Sequence, residues 1–301
     1  MANPDESQDG SPLLPEVVVV GICRNVETTV GREVLRLKDA IEGIGFSPHF
    51  FLVESDSTDN SRTILISLQK SIPSFSFVSL GNLEVSIPNR IERLRFCRNR
   101  YVWELRNNET FQNAIYTFVV DFDIKNSALN LKGFSVFLTQ EYDWSAVFCN
   151  QKGRYYDIYA LREATWSPDD CFKSAFDNAT KLGWEKARQV SIWSRMKKIK
   201  PSEDIISVDS AFGGLGIYKY SVFERFDYTI TAEVANYESE HIALHYKLRR
   251  VGGRLYILPS LTNFSWNAHN LSSFKFFRTL DSLSQTRRLK WVRQVFRKRI
   301  S

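Results

Sequence analysis

The amino-acid sequence predicts an α/β protein, a single domain on an open, mostly parallel sheet flanked by helices. Three observations lead there. Short β-branched and aromatic runs alternate with helical periodicity from residue 17 to 124, an order that winds a sheet through helical crossovers. The 301 residues are 43% hydrophobic, enough for one large core. Polar clusters also end three of the predicted strands, at "GICRN" (21–25), "ESDSTDN" (54–60) and "DFD" (121–123), the edge where such sheets collect ligands.

The elements follow in order. Val17–Ile22 is continuous, apolar and β-branched, as a strand buried on both faces should be. In "TTVGREVLRLKDAIEGIG", Val30, Val34, Leu37, Ile41 and Ile44 recur at helical spacing and the pattern closes on Gly45. "HFFLVE" is the second strand, and "SDSTDNSRTILISLQKSI" supplies Asp and Ser/Thr caps before a helix. "FSFVSL" is the third strand, "RIERLRFCRNRYVWELRNN" a long helix and "YTFVVDFDI" the fourth strand. Further on, "WSAVFCN" and "RYYDIYALRE" read as strands and 168–200 as a helical stretch. "SAFGGLGIYK" is a glycine-rich loop entering a short strand. "ESEHIALHYKLRRVGG" is a helix stopped by Gly252-Gly253, and "RLYILP" is a strand. The expected division is a disordered 1–15, a nucleotide-binding half at 16–125, an acceptor-binding and catalytic half at 126–275, and a terminal helix at 276–301.

Composition narrows the setting. The longest apolar runs fall far short of the ~20 residues a membrane span needs, and the polar, acidic "MANPDESQDGSPLLP" has no signal-peptide pattern. Cys23, Cys97, Cys149 and Cys171 lack CxxC spacing and read as buried free thiols. A cytoplasmic protein is expected. The net charge is +6, yet residues 287–299 alone hold seven Lys/Arg and no acid, with Leu289, Val292, Val295 and Phe296 on one side. That segment is either a docked terminal helix with a solvated basic face or a helix on an anionic membrane surface, at the inner face of a membrane. No nucleic-acid motif accompanies it, so nucleic acid ranks last among partners.

The carboxylates of "DFD" carry the sharpest signal. In a strand, residues i and i+2 share a face, so Asp121 and Asp123 are expected to serve one site. Hard oxygen donors in this number suit Mg²⁺ or Mn²⁺ shared with phosphates, although strand-end aspartates are also common turn formers. The ordered set "VVVVGICRN", "FLVESDSTDNS", "FCRNR" and "FVVDFDI" resembles the nucleotide-sugar half of GT-A glycosyltransferases, especially the large family-2 type. The resemblance gives Asn25 the place of the first-strand Asn and Glu54 that of the loop acid which meets the base or ribose. Asp59 takes the later loop Asp, Arg98-Asn99 the "RN" pair, and Asp121 and Asp123 the DxD, with Asp123 the metal ligand and Asp121 shared with the ribose. Ser55 and Asp56 depart from the family, which more often has Asp and Gly there.

Downstream, "FGGLGIYK" resembles the acceptor-side loop, where Gly213 and Gly214 let substrates approach the backbone. The helix of "ESEHIALH" resembles the family's catalytic helix, with Glu240 at its Glu and His241 where Asp is usual. His269 stands where these enzymes often place a metal-binding histidine. "RYYDIYALRE" and "SEHIALH" resemble capsule mannosyltransferase-like proteins.

Glu238, Glu240 and His241 compete for the acid/base role, Glu240 foremost. Arg98 has the fork geometry for a diphosphate, but is equally a helix-surface charge. His49 is a structural histidine, and "HIALH" lacks the Glu of a zinc-protease helix.

These residues imply a Mn²⁺- or Mg²⁺-dependent transfer of a hexose, mannose among the candidates, from a nucleoside-diphosphate sugar to a glycan or glycolipid. A sugar nucleotidyltransferase is the rival enzyme, but the "GGxGTR"-like loop it needs is missing from "GICRN". A binding protein on a degenerate transferase fold is the rival outside catalysis.

Overall fold

The computed structural model describes residues 14–123, 126–230 and 239–263. Its first half is β1 (Glu16–Cys23), α1 (Val30–Glu42), β2 (Ser47–Glu54), α2 (Ser61–Ser71), β3 (Phe75–Ser79), α3 (Leu83–Ser86), α4 (Arg90–Asn107) and β4 (Tyr116–Val120). The second half continues with α5 (Lys132–Leu138), β5 (Ala146–Asn150), α6 (Cys171–Leu182), α7 (Trp184–Ser191), β6 (Ile206–Val208), β7 (Leu215–Lys219), α8 (Ser221–Arg225), α9 (Glu240–Arg250) and β8 (Leu255–Thr262).

The strands form one sheet in the order β3-β2-β1-β4-β7-β5-β8-β6. β1, β2, β3 and β4 are mutually parallel, and β5 pairs β8 in parallel. β7 runs against β4 and β5, and β6 against β8. Six of the eight strands therefore point one way, and a single mixed sheet serves both halves of the chain.

Side-chain alternation explains the layering. Val17 and Val19 of β1 join Phe50 and Leu52 in a core capped by Val30, Val34, Leu37 and Ile41 of α1 and by Leu65 and Leu68 of α2. Val18 and Val20 join Phe51 and Val53 on the opposite face, under Cys97, Tyr101, Val102 and Leu105 of α4. Because successive strand residues face opposite ways, a strand this apolar must be covered on both sides. All four cysteines are buried free thiols, as expected.

Two expectations change, and a strand direction left open is settled. "RYYDIYALRE" is an irregular loop whose only ladder pairing among the described residues is isolated bridges such as Arg154–Lys198 and Arg162–Ser210. Its buried residues, Tyr155, Ile158, Ala160 and Leu161, do not alternate, so it has no apolar face to lay on a sheet. The stretch 168–200 is broken at Gly183 (φ +74°), which separates α6 from α7. The strand after "AFGG" is antiparallel and inserts between β4 and β5, which brings the glycines beside the end of β4.

Candidate active site

The carboxyl ends of β1, β2 and β4 lie at one edge, and the N-terminal end of β7 joins them: Cys23 pairs with Glu54, and Val120 with Leu215. β4 stops at Val120, so "DFD" lies in the turn beyond it rather than in the strand. The shared-face argument for Asp121 and Asp123 does not apply there; the turn itself brings them to the site. Phe122, fully buried between them, crosses the end of β1 at Gly21. A Cβ on Gly21 would sit 2.5 Å from the Val120 carbonyl oxygen and 2.6 Å from the Phe122 ring. Thr29 Oγ1 donates to the Phe122 carbonyl at 2.8 Å, and the Asp121 N–H donates to the Gly214 carbonyl at 3.0 Å. Asp121 is thus held inward with its side chain 27% exposed, while Asp123 faces solvent.

Opposite them stands Arg98 of α4, 3% exposed. Its Nε donates to Glu240 Oε1 at 3.0 Å, Nη2 lies 3.7 Å from Asp121 Oδ1, and Nη1 donates to the Tyr101 hydroxyl at 3.3 Å. The rings of Phe212 and Tyr228 face the guanidinium at 5.5 and 5.6 Å, an arrangement that stabilises a desolvated cation. Arg98 is therefore not a helix-surface charge, and its fork is committed to two carboxylates rather than left open for a diphosphate. Glu240, the first residue of α9 and 5% exposed, keeps Oε2 without a hydrogen bond among the described residues.

Electrostatics mark Asp121 as the strained member. Burial, then the negative charges of Asp123, Asp157 and Glu240, push its pKa up to about 8, with Arg98 acting in the opposite sense. Asp157 was not legible as a site residue because its stretch reads as a strand. In the structure its Oδ2 accepts from the Gly213 N–H at 3.0 Å, and Oδ1 from the Ala160 N–H at 3.3 Å. Its only sequence signal is a lone acid within an aromatic run.

The remaining predicted residues mainly shape loops. Glu54 is 1% exposed; Oε1 accepts from the Ser57 N–H at 3.0 Å, and Oε2 accepts from the Ser79 hydroxyl. Asn25 adopts φ +54°, a conformation Asn tolerates, and its Oδ1 accepts from the Thr58 N–H at 2.8 Å. Asp56 has φ +58°, so the departure from the family's Gly falls at a left-handed position that Asp can also occupy. Asp59 accepts from the Ser61 N–H and hydroxyl, as a helix-start brace does. Gly213 (φ +70°) has a packing reason to be glycine, since a Cβ would lie 2.8 Å from Gln151 Nε2 and 3.0 Å from the Cys149 carbonyl.

His241 is 4% exposed and stacks on Phe212 with centroids 3.9 Å apart. Both ring nitrogens lack hydrogen-bond partners among the described residues. Burial, then Arg98 and His245, hold its pKa well below the ordinary value, so it is neutral. It forms a wall under Glu240, a poor position for proton exchange with a substrate. His245 is the satisfied histidine, bonded to the Ser210 hydroxyl and the Tyr218 hydroxyl, each at 2.8 Å. Glu238, His269 and the basic segment 287–299 lie outside the described residues.

The donor chemistry at the edge fits a hard divalent cation. Among the described residues no three His, Cys, Asp or Glu side chains form a ready cage, but Mg²⁺-type sites use one or two carboxylates and complete the shell with phosphate oxygens and water. Burial and the neighbouring negative charges that raise Asp121 make a cation there favourable, since it would offset both. Also among the described residues, no helix is long and apolar enough to cross a membrane.

No protein-family model and no curated protein matches the chain. Among solved structures it is similar to S. aureus TarS 1-349, at 13% identity and TM-score 0.44, over 83% of this chain and 60% of that one. It is also similar to the mannosyltransferase PcManGT from Pyrobaculum calidifontis in complex with GDP-Man and Mn²⁺, at 13% identity and TM-score 0.43, over 87% and 59%. A third is glucosyl-3-phosphoglycerate synthase from Mycobacterium tuberculosis in complex with uridine diphosphate, at 13% identity and TM-score 0.38, over 83% and 69%. The chain thus spans about 60% of the length of the first two.

Proposed function

We propose that this protein is a glycosyltransferase that moves a hexose from a nucleoside-diphosphate sugar to a hydroxyl of a glycan or glycolipid, assisted by Mn²⁺ or Mg²⁺. The observation that carries the reading is the convergence on buried Arg98 of two carboxylates from distant parts of the chain, Asp121 and Glu240. They lie at the carboxyl edge of the parallel part of the sheet, beside β1 and β4, where open α/β sheets bind nucleotides.

The carboxylates have separate tasks. Asp121 and Asp123 would hold the cation, which on binding neutralises the charge of the departing diphosphate. Glu240 is the base: its free Oε2 accepts the proton of the acceptor hydroxyl as that oxygen bonds to the anomeric carbon and the bond to the diphosphate breaks. A transfer run this way inverts the anomeric centre. Arg98 keeps Glu240 and Asp121 oriented without touching substrate, and Asp157, through the Gly213 N–H, fixes the glycine loop beside Asp121.

The test is to incubate the protein with Mn²⁺ and a panel of sugar nucleotides and measure nucleoside-diphosphate release and binding. Turnover with one donor supports the reading, and no binding of any donor refutes it. Binding without turnover favours the degenerate-fold alternative. Asp123→Ala should abolish the metal-dependent part of donor affinity; full retention would remove Asp123 from the ligand set.

A further inference from the structure

Arg95 lies on α4 one turn before Arg98, in a different environment. Among the described residues no carboxylate pairs with its guanidinium, and its Nε is buried without a hydrogen-bond acceptor. Burial draws its pKa below the ordinary arginine value, with Glu240, Glu92 and Tyr159 acting against that. The residue as a whole is only partly buried, so its outer nitrogens face the groove, but a buried Nε with no acceptor is costly and favours a partner.

The side chain borders an open surface groove of about 440 Å³, lined as well by Ile87, Glu92, Phe96, Asn99, Thr229 and Ile230. That volume falls in the range of small-molecule sites. Asn99 is already committed, its Nδ2 donating to Thr229 Oγ1 and its Oδ1 accepting from the Tyr228 N–H. Among the described residues Arg95 is therefore a lining group with donors to spare. Phe96, 49% exposed, presents an aromatic ring to the groove, and the exposed Glu92 stands beside it. Arg98, by contrast, has spent its charge on Glu240 and Asp121.

We propose that this pocket is an anion subsite, in which Arg95 takes a carboxylate or phosphate carried by the sugar that accepts the transfer. The acceptor assignment rests on the transferase reading above; the preference for an anionic sugar does not. Glu240, within electrostatic reach of Arg95, is the base proposed to meet the same acceptor's hydroxyl.

The experiment uses the full chain and saturation-transfer NMR with three probes: glucuronate, glucose 6-phosphate and the neutral methyl glucoside. At least one charged probe should bind on the order of tenfold tighter than the neutral one, and which one does so separates carboxylate from phosphate. Arg95→Gln should lose that preference and Arg95→Lys keep part of it, with melting temperature and nucleoside-diphosphate affinity unchanged in both. Equal binding of charged and neutral sugars, no binding of any of them, or an undiminished preference in Arg95→Gln overturns the proposal. Charged sugars bound through Arg95 by a chain that neither binds nor turns over any sugar nucleotide would support the subsite and refute the transferase reading.

Discussion

Replacing Arg98 by Met isolates the role of a cation shared by Asp121 and Glu240. Methionine fills much of the same space between Phe212 and Tyr228 but removes the charge. The variant loses the 3.0 Å bond to Glu240 and the 3.7 Å approach to Asp121, and leaves Glu240, itself 5% exposed, without its counter-ion. Breaking a buried pair from one side typically costs ~3–5 kcal/mol, because the remaining charge stays desolvated. For a domain of this size that is a fall in Tm of roughly 10 °C. Urea unfolding at pH 7.5 is the assay. Adding Glu240→Gln to Arg98→Met should recover part of the loss, since the orphaned charge goes with it. An Arg98→Met variant within about 1 kcal/mol of wild type, or no recovery in the double variant, would refute the claim that Arg98 neutralises this pair.

Three further outcomes follow from the same geometry. His245 is buried, and that burial lowers its pKa to about 3 from an ordinary 6.5. Its contribution to stability is thus complete above pH 6.5 and lost as pH falls toward 3, at about 1.4 kcal/mol per pH unit; the urea midpoint of His245→Phe should vary less between pH 7.5 and 5.0 than that of wild type. Gly213→Ala should cost roughly 2 kcal/mol or more, because its φ of +70° disfavours a side chain and the new methyl meets Gln151 and Cys149; thermal melts check it. Glu240→Gln should leave sugar-nucleotide affinity within about twofold while lowering turnover ~10²-fold or more, and unchanged turnover would remove Glu240 as the base.

Legibility differed residue by residue. Asp121 and Glu240 stand out in the sequence because the motifs around them are ordered along the chain, but Asp157, whose charge acts on Asp121, does not. Its role depends on a hydrogen bond to Gly213, which is 56 positions away. Arg98 was visible as a charge in "FCRNR", yet its choice between solvent, phosphate and carboxylate is a packing question. The antiparallel β7 escaped notice because a five-residue apolar run reads the same in either direction.

The sequence by itself determined the order of strands and helices in the first half, the burial of β1 on both faces and the polar clusters at the strand ends. These depend on side-chain period and turn chemistry, which are local. Only the tertiary structure decided that Arg98 and Glu240, 142 positions apart, form one buried pair, that "DFD" serves as a turn rather than a strand face, and that Arg95 has donors to spare among the described residues. Burial and charge compensation depend on which surfaces meet, and no local period encodes that.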